Sequence, residues 1–407
     1  MRGQVSTGVA ALVSMLWLQI ANAITWMTLP VLAPQLAPLA GVAPSTIGHL
    51  TGVMFAGALL PTLVAGAVMP LVGPVRVGQL TTAFGAVGLL IAATGSVWAL
   101  LIAALLIGAG YGPGAPLSSV VLAHHTRSEW HGLVFSVRQS GIPLGGLLAG
   151  LTLPAAAVAF GTREAVMAAA AVAFMITLTV EPVRKKLDAP LRSAKGPKLG
   201  ALLLNISMRQ ALRAHPDLPR VTYGGFAAAS VQGSVFALLV TFLVERAGFD
   251  LITAGLIFSA MHLSGFAARI AFGYASDRFF RPQLLLAALA AVGVASLLIL
   301  LLVGGRVSFT VVIVLAAVIG ATVSGWNGVM MAELARLSPP GLVASVSASA
   351  VTCIYLGYMI GPVVTSGLIG LSGSYLLGFA PVMTGLLAAS VWIFNGLGFH
   401  SSHAING

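Results

Sequence analysis

Charge is what this sequence has least of. Of its 407 residues, 7% are Asp, Glu, Lys or Arg, whereas 58% are hydrophobic. A soluble chain of this length could not stay in solution with so few charges. The chain also has a single cysteine, Cys353, which excludes an internal disulfide. Its apolar residues form repeated stretches near the roughly 20 residues that cross a bilayer. The sequence therefore predicts an all-α membrane protein.

Twelve apolar stretches are predicted to be transmembrane spans. They are 9–36, 46–72, 77–96, 98–122, 132–160, 164–181, 221–245, 251–275, 283–304, 307–334, 342–371 and 375–398. The first stretch is too long for the apolar core of a cleaved signal peptide. Glycine and proline are so frequent at 108–116 that span 4 should not be a straight helix, and Pro143 should bend span 5.

Acidic residues are scarcer than basic ones, with nine Asp and Glu against 20 Lys and Arg and a net charge of +11. If the N-terminus lies inside, 15 of the basic residues fall in cytoplasmic segments, three in outer loops and two within spans. This is the positive-inside pattern, so the basic charge indicates topology and not a nucleic-acid partner. We expect an integral protein of a bacterial inner membrane, with both termini in the cytoplasm.

The two halves of the chain resemble each other. The segment 132–137 recurs as 341–346, with five of six residues identical at an offset of 209, and Arg127 and Arg336 match at the same offset. The sequence thus predicts an N-terminal six-helix half at 1–181, a cytoplasmic connector at 182–219 and a C-terminal six-helix half at 220–407. Apolar residues between 199 and 212 fit either a short helix on the membrane surface or a solvated linker.

A family resemblance is carried by the end of span 8. The segment Gly273-Tyr274-Ala275-Ser276-Asp277-Arg278, followed by Arg281, resembles the loop motif of the major facilitator superfamily. This resemblance implies the major facilitator fold, with two pseudo-symmetric six-helix halves, and a secondary transporter working by alternating access. The corresponding place after span 2 keeps Gly66, Gly73 and Arg76 but has Pro70 where the motif has an acid.

The loop motif implies a gate at the cytoplasmic ends of the spans. Asp277 could face the positive N-terminus of span 5 and hold that side shut, or form a salt bridge that only stabilises a helix end. Glu333 and Arg336 are spaced for an i, i+3 ion pair. The predicted gating residues are Asp277, Arg278, Glu333, Arg336, Arg127 and Glu129. The histidines near Glu129 fit a solvated basic loop better than a metal site, and we expect no metal and no cofactor.

Two arginines lie inside predicted spans, although all nine acids lie in loops or near span ends. Arg138 is about 9 Å into span 5 and Arg269 about 12 Å into span 8, at a rise of about 1.5 Å per residue. A central arginine costs about 2.5–3.5 kcal/mol on insertion scales. This placement predicts a water-filled cavity that receives an anion, and the guanidinium fork suits a carboxylate.

The run Arg269–Arg278 also resembles span 8 of the oxalate:formate antiporters and the monocarboxylate transporters. That resemblance implies that Arg269 binds the substrate carboxylate. The alternative is a structural pairing of Arg269 with backbone carbonyls or a polar side chain. Arg138 could contact the substrate, extend toward the cytoplasm, or pair with Asp277 or Glu129.

Other polar and aromatic residues could complete the site. Gln19, Asn22 and Trp26 share one face of span 1, and His262 shares one face of span 8 with Arg269. His262 could carry a coupling proton or donate a hydrogen bond to another helix. The remaining candidates are Gln232, Trp326, Asn327, Tyr355 and Tyr358. Each of these could instead form an ordinary interhelical contact.

These patterns predict a carrier for a small organic anion, most simply a carboxylate, as an exchanger or a proton-coupled symporter. A proton-driven exporter of drugs or other amphiphiles is the first alternative, and a non-transporting receptor or sensor is the second. No catalytic constellation lies within the spans, so we do not expect an enzyme. We expect a monomer whose partners are the anionic substrate, the lipid bilayer and protons.

Overall fold

The computed structural model describes residues 2–192, 212–339 and 342–403, and within these ranges the chain is helical and contains no strand. Before residue 193 the helices are Arg2–Leu39, Ile47–Val72, Pro74–Ala92, Val97–Tyr111, Gly114–His125, His131–Gln139, Gly141–Phe160, Thr162–Thr179 and Glu181–Asp188. After residue 211 they are Leu218–Glu245, Leu251–Arg278, Pro282–Val303, Phe309–Leu337, Val343–Ser372 and Tyr375–His403. The all-α prediction is confirmed.

Within the described ranges, twelve helical segments are long and apolar enough to cross a membrane, as predicted. Numbered in chain order as spans 1–12, they are Thr7–Leu39, Pro44–Val72, Pro74–Ala92, Val97–His125, His131–Phe160, Thr162–Thr179, Leu218–Glu245, Leu251–Ser276, Pro282–Arg306, Phe309–Leu337, Val346–Ser372 and Tyr375–Asn395.

 

Span 11 runs from Val346 to Ser372 as one uninterrupted helix. Spans 4 and 5 are each made of two helices. Span 4 is interrupted between Tyr111 and Gly114, within its stretch of glycine and proline, and span 5 is interrupted at Ser140. The proline ring at position 143 removes the N–H that would bond to Gln139, so the helix breaks one turn before it. The predicted irregularities of spans 4 and 5 are therefore confirmed.

Several helix starts follow local signals in the sequence. Ser96 before span 4 and Asp250 before span 8 each accept a hydrogen bond from the backbone N–H three residues later, at 3.1 and 3.0 Å. These bonds satisfy N–H groups that have no partner inside the helix. Pro74 and Pro282 occupy the first positions of spans 3 and 9, where a missing N–H costs nothing.

The contacts divide the chain into two compact units, Met1–Leu204 and Asn205–Gly407, called here the first and second half. In the first half, span 1 packs on spans 5 and 6, and span 4 packs on spans 2 and 3. In the second half, span 7 packs on spans 11 and 12, and span 10 packs on spans 8 and 9. The order of packing is thus the same in both halves, as an internal repeat requires. The predicted limits of the halves and connector stay predictions.

In both halves a glycine allows an equivalent pair of spans to approach closely. A Cβ atom on Gly108 of span 4 would collide with the backbone carbonyl of Met54 in span 2. A Cβ atom on Gly320 of span 10 would collide in the same way with the carbonyl of Met261 in span 8. Small residues allow such backbone approaches between membrane helices, and the repeat places them in equivalent span pairs.

The chain after span 6 continues into the short helix Glu181–Asp188, which packs against the first half. Nε2 of His125, at the end of span 4, lies 2.9 Å from the carbonyl oxygen of Leu187. The start of the connector is therefore attached to the transmembrane helices. Residues 193–211, which include most of the predicted surface helix or linker, lie outside the described residues.

Candidate functional site

A polar cluster joins spans 7, 10 and 11 in the second half. Its centre is Gln232 of span 7, which is 1% exposed. The amide oxygen of Gln232 accepts hydrogen bonds from the indole N–H of Trp326 at 3.0 Å and from the hydroxyl of Tyr358 at 2.9 Å. The amide nitrogen of Asn327 lies 3.4 Å from the same oxygen. Four separately predicted site residues thus lie together, with three of them around the amide oxygen of the fourth.

Gly233, the residue after Gln232, leaves room for two rings of span 11. A Cβ atom on Gly233 would lie 3.1 Å from the ring of Tyr358 and 3.1 Å from the ring of Pro362. Because glycine has no side chain, both rings can pack against span 7. Tyr355, one turn before Tyr358 on span 11, is half-buried as well.

Arg269 of span 8 is half-buried and is directed toward span 10. Its Nε–H donates a hydrogen bond to the backbone carbonyl of Ser324 at 3.2 Å. The amide nitrogen of Asn327 lies 3.5 Å from the same carbonyl, so Arg269 lies beside the Gln232 cluster. Pairing with a backbone carbonyl is what the structural alternative for Arg269 predicted.

His262, two turns before Arg269 on span 8, is 1% exposed. Its ring packs against Phe236 of span 7 and Phe258 of span 8, with ring centroids 4.6 and 4.5 Å apart. The buried Nε2 of His262 has no hydrogen-bond partner among the described residues. The ring is therefore held by aromatic packing, and Nε2 does not make the interhelical hydrogen bond that was one alternative.

The other buried arginine, Arg138, lies in the first half and is 5% exposed. Its two terminal nitrogens donate to the amide oxygens of Gln19 in span 1, at 2.5 Å, and of the neighbouring Gln139, at 2.7 Å. Arg138 thus brings together two predicted candidates, itself and Gln19. These contacts tie span 5 to span 1.

Asn22 and Trp26, the other candidates on span 1, are both buried. The indole of Trp26 packs edge-on against Phe55 of span 2 and Tyr111 of span 4, with centroid separations of 6.0 and 6.2 Å. The side-chain oxygen of Asn22 is buried without a hydrogen-bond partner among the described residues. Although Gln19, Asn22 and Trp26 share a helix face, Gln19 and Trp26 contact different neighbouring spans.

The end of span 10 carries the ion pair that its spacing predicted. Glu333, which is fully buried, accepts two hydrogen bonds of 2.6 Å from Arg336. Gln283, in the first turn of span 9, donates a third bond to Glu333 at 2.9 Å. This arrangement satisfies the buried carboxylate and ties span 9 to span 10.

The remaining gating candidates are less constrained. Arg127 and Glu129 form an ion pair of 3.3 Å between exposed side chains, and such surface pairs contribute little to stability. Arg278 is exposed at the last position of the span 8 helix. The side chain of Asp277 lies outside what the structure describes, so its gating role stays a prediction.

The connector places a carboxylate at the N-terminus of span 3. The carboxylate of Asp188 accepts hydrogen bonds from the backbone N–H groups of Val75, at 2.7 Å, and Arg76, at 3.2 Å. It thereby caps the N-terminus of span 3. Gly73 precedes this helix with φ of +103°, and a Cβ atom there would collide with the Asp188 carboxylate. Burial raises the pKa of Asp188 above its ordinary value.

Glu181, at the start of the same short helix, bridges two arginines. It accepts a hydrogen bond from Arg184 at 3.0 Å and one from Arg76 at 3.1 Å. The hydrogen bond from Arg184 lowers the pKa of Glu181, with a smaller contribution from the charge of Arg76. The first-half end of the connector is therefore held by charged contacts as well as by the Asp188 cap.

Sequence analysis did not identify several residues of these sites. Gln139 lies within predicted span 5 and Gln283 at the start of predicted span 9, and the need of a polar side chain for a partner in an apolar span was a usable signal. The carbonyl of Ser324 carried no signal, because every residue type has a backbone carbonyl. Asp188 carried little, because a charged residue in a polar connector is expected to be solvated.

Twelve apolar helices in two halves with one packing order define a polytopic membrane protein of the transporter type. The family model of the Major Facilitator Superfamily matches residues 15–362. The chain therefore belongs to this superfamily and is a membrane transporter, as the loop motif implied. No curated protein matches the sequence.

Solved structures share the fold. A bacterial homologue of the human lysosomal transporter Spinster, in an inward-facing and unoccupied conformation, has a TM-score of 0.73 at 15% identity, covering 95% of this chain and 96% of that chain. Its occupied form has a TM-score of 0.70 at 14% identity, covering 94% and 95%. A peptide transporter, POT, in complex with sulfate has a TM-score of 0.72 at 15% identity, covering 95% and 94%. At these identities the likeness shows the fold alone.

Proposed function

We propose that this transporter carries a small organic anion by alternating access and recognises it through a carboxylate. The observation that carries the proposal is the setting of Arg269. This cation lies within span 8, is half-buried, and contacts span 10 through the Ser324 carbonyl. The amide nitrogen of Asn327 lies 3.5 Å from the same carbonyl, so Arg269 is next to the Gln232 cluster.

The chemistry of the neighbouring groups supports an anionic substrate. Arg269, Trp326, Asn327 and Tyr358 all present N–H or O–H donors. An ionised carboxylate only accepts hydrogen bonds, and its bonds to a guanidinium are charge-assisted and about twice as strong as neutral ones. Placing an arginine within the membrane also costs free energy, so its presence there indicates a function. A carboxylate would therefore be the best complement to this set of side chains.

The same proposal covers the coupling mode, for which we favour exchange of one anion for another. The predicted spans contain no mid-membrane acid that could carry a proton. His262 is the titratable group near the middle of span 8 and would be the proton carrier in a symporter. Exchange predicts that uptake depends on an internal anion and not on a pH gradient.

The test is counterflow in proteoliposomes loaded with unlabelled acid, using labelled formate, oxalate, lactate and succinate in turn. We expect saturable uptake of at least one acid. Arg269→Ala should reduce that uptake to background, and Arg269→Lys should recover only part of it, because lysine keeps the charge but lacks the planar fork. Arg246→Ala, which alters an exposed arginine after span 7, is the matched control and should transport normally.

A second assay separates the alternatives. If none of the four acids is transported and a cationic dye moves equally well in wild type and Arg269→Ala, the protein is an exporter of amphiphiles and our proposal is wrong. If the acids are transported but Arg269→Ala retains full uptake, the anion site lies elsewhere.

A further inference from the structure

We infer that Gln232 occupies the acceptor position that a carboxylate oxygen of the substrate takes on binding. Gln232 would then be a specificity-determining residue that keeps donors of spans 10 and 11 in place until an anion replaces it. This inference rests on the proposed function and assigns a role to a residue that does not itself carry charge.

The first support is the number of donors on one atom. Trp326, Asn327 and Tyr358 all approach the amide oxygen of Gln232. An amide oxygen has two lone pairs, so three donors exceed its capacity. The distances agree: 3.0 and 2.9 Å are ordinary, whereas 3.4 Å for Asn327 lies beyond the usual limit of about 3.2 Å. The cluster has more donor capacity than this oxygen can use.

The second support is the difference in exposure among the three donors. Trp326 is 3% exposed, as deeply buried as the oxygen it binds. Asn327 and Tyr358 are half-buried, so their side chains are more accessible than that of Trp326. We therefore expect Asn327 and Tyr358 to donate to the ligand and Trp326 to stay on Gln232.

The third support is the position of Arg269 relative to this cluster. Asn327 contacts both the Gln232 oxygen and the Ser324 carbonyl that accepts from Arg269. A carboxylate bound between Arg269 and Tyr358 would thus meet Asn327 on the way. Binding would release the direct bond between spans 7 and 11 and connect spans 8, 10 and 11 through the ligand.

This arrangement also predicts selectivity for an acid over its amide. A carboxylate offers two acceptor oxygens, whereas an amide offers one oxygen and an NH₂ group that would face other donors. Unpaired donors at a buried site cost binding energy. If lactate is a substrate, lactamide should therefore inhibit the uptake of labelled lactate at least about tenfold less potently than unlabelled lactate does.

The experiment uses two substitutions of Gln232 in the transporter. The affinity of each variant for formate, oxalate, lactate and succinate is measured by titrating each acid separately. Gln232→Met removes the resident acceptor, so donors no longer need to be displaced, and affinity should rise severalfold. Gln232→Glu is isosteric but adds a resident anion, so affinity should fall at least about tenfold at neutral pH and recover partly in acid. Gln35→Glu, where the amide oxygen also accepts a side-chain bond, controls for an added charge and should bind normally.

The outcomes are distinguishable. If Gln232→Met weakens binding, Gln232 contacts the ligand directly; if it only lowers thermal stability, Gln232 is structural; either result overturns the inference. If Gln232→Met does not fold, the isosteric Gln232→Glu decides, and unchanged affinity there overturns it too. If wild type binds none of the four acids, the proposed function itself fails and this inference fails with it.

Discussion

Each half of the protein joins the equivalent pair of spans through a glutamine side chain, but with a different kind of donor. In the first half, the amide oxygen of Gln19 in span 1 accepts from Arg138 of span 5 at 2.5 Å. In the second half, the amide oxygen of Gln232 in span 7 accepts from Tyr358 of span 11 at 2.9 Å. Spans 1 and 5 correspond to spans 7 and 11, but at the offset of 209 Gln19 corresponds to Ala228 and Arg138 to Ser347. Each half therefore ties the same pair of spans together at its own position, with a cationic donor in one half and a neutral hydroxyl in the other.

This difference gives the two intramembrane arginines different expected roles, whereas their depth in the membrane did not distinguish them. Arg138 is 5% exposed and donates to glutamine oxygens on two sides. Arg269 is half-buried and donates to a backbone carbonyl beside a cluster of neutral donors. We therefore expect Arg138 to hold span 1 against span 5 and Arg269 to receive the ligand. Substrate contact by Arg138 stays a prediction, and the experiments below test it.

The largest effect should come from removing the buried cation of the first half. Arg138→Met leaves the amide oxygens of Gln19 and Gln139 without their charged donor. Hydrogen bonds to charged groups contribute about 1.5–3 kcal/mol each, so we expect a loss of about 3 kcal/mol of stability. Thermal unfolding of the purified protein in detergent measures it.

The matched variant is Arg269→Met, which removes a half-buried arginine with a backbone contact. It should cost clearly less stability than Arg138→Met while abolishing carboxylate uptake. Equal destabilisation by the two variants, or loss of uptake with Arg138→Met in a stably folded protein, would show that the contrast between the halves is wrong.

The next largest effect should show that the halves are alike in packing although they differ in polar chemistry. Gly108→Ala and Gly320→Ala each push a methyl group against a backbone carbonyl of the paired span. Overpacking of this kind costs about 1–3 kcal/mol. The two variants should therefore be destabilised to a similar extent in thermal unfolding.

Gly328→Ala is the control for these two glycines, because a Cβ atom there meets no other atom within 4 Å. It lies on the same helix as Gly320 and should be neutral or slightly stabilising. A destabilisation as large as that of Gly320→Ala would mean that helix flexibility, and not close packing, explains the glycines.

A smaller effect is expected from the neutral donor of the second half. Tyr358→Phe keeps the ring packed on Gly233 but removes the hydroxyl that we expect to move from Gln232 to the ligand. A hydrogen bond to an ionised carboxylate is stronger than one to the Gln232 amide by about 1 kcal/mol, so losing this exchange corresponds to roughly a fivefold loss of affinity. Uptake as a function of acid concentration measures it, and Tyr274→Phe, at an exposed tyrosine of span 8, is the control.

Much of the fold was predictable because membrane helices follow simple rules. Long apolar stretches, basic loops and one repeated segment were enough for twelve spans in two halves. The glycine and proline of spans 4 and 5 predicted their breaks. Gln232, Trp326, Asn327 and Tyr358 were each recognisable as polar or amphipathic groups in apolar helices, and such groups must find partners.

What the sequence could not supply was the set of pairings. That Gln232 is the common acceptor, or that Arg138 binds Gln19, depends on helix rotation and on close approaches that a list of spans does not contain. The Asp188 cap on span 3 joins residues more than one hundred positions apart. Local periodicity carries no information on such a contact.

The smallest predicted effect concerns that cap. The stability contributed by Asp188 and that contributed by Glu181, on the same short helix, should change with pH in opposite directions. Burial raises the pKa of Asp188 above 3.8, so the folded state binds this proton more readily than the unfolded chain does. Its stabilising contribution is complete below pH 3.8 and is lost as the pH rises through the raised pKa. Asp188→Asn keeps an acceptor for the Val75 N–H without the buried charge, so its stability relative to wild type should increase from pH 3.5 to pH 7.

Glu181 should behave in the opposite way, because the hydrogen bond from Arg184 lowers its pKa below 4.5. Its contribution is present above pH 4.5 and is lost as the pH falls through the lowered pKa. Glu181→Gln should therefore be less stable than wild type at pH 7, and the difference should disappear in acid. Melting curves of wild type and both variants between pH 3.5 and 7 test the pair. Parallel pH profiles for the two variants would mean that Asp188 is held by its ion pair with Arg184, 4.0 Å away, more than it is affected by burial.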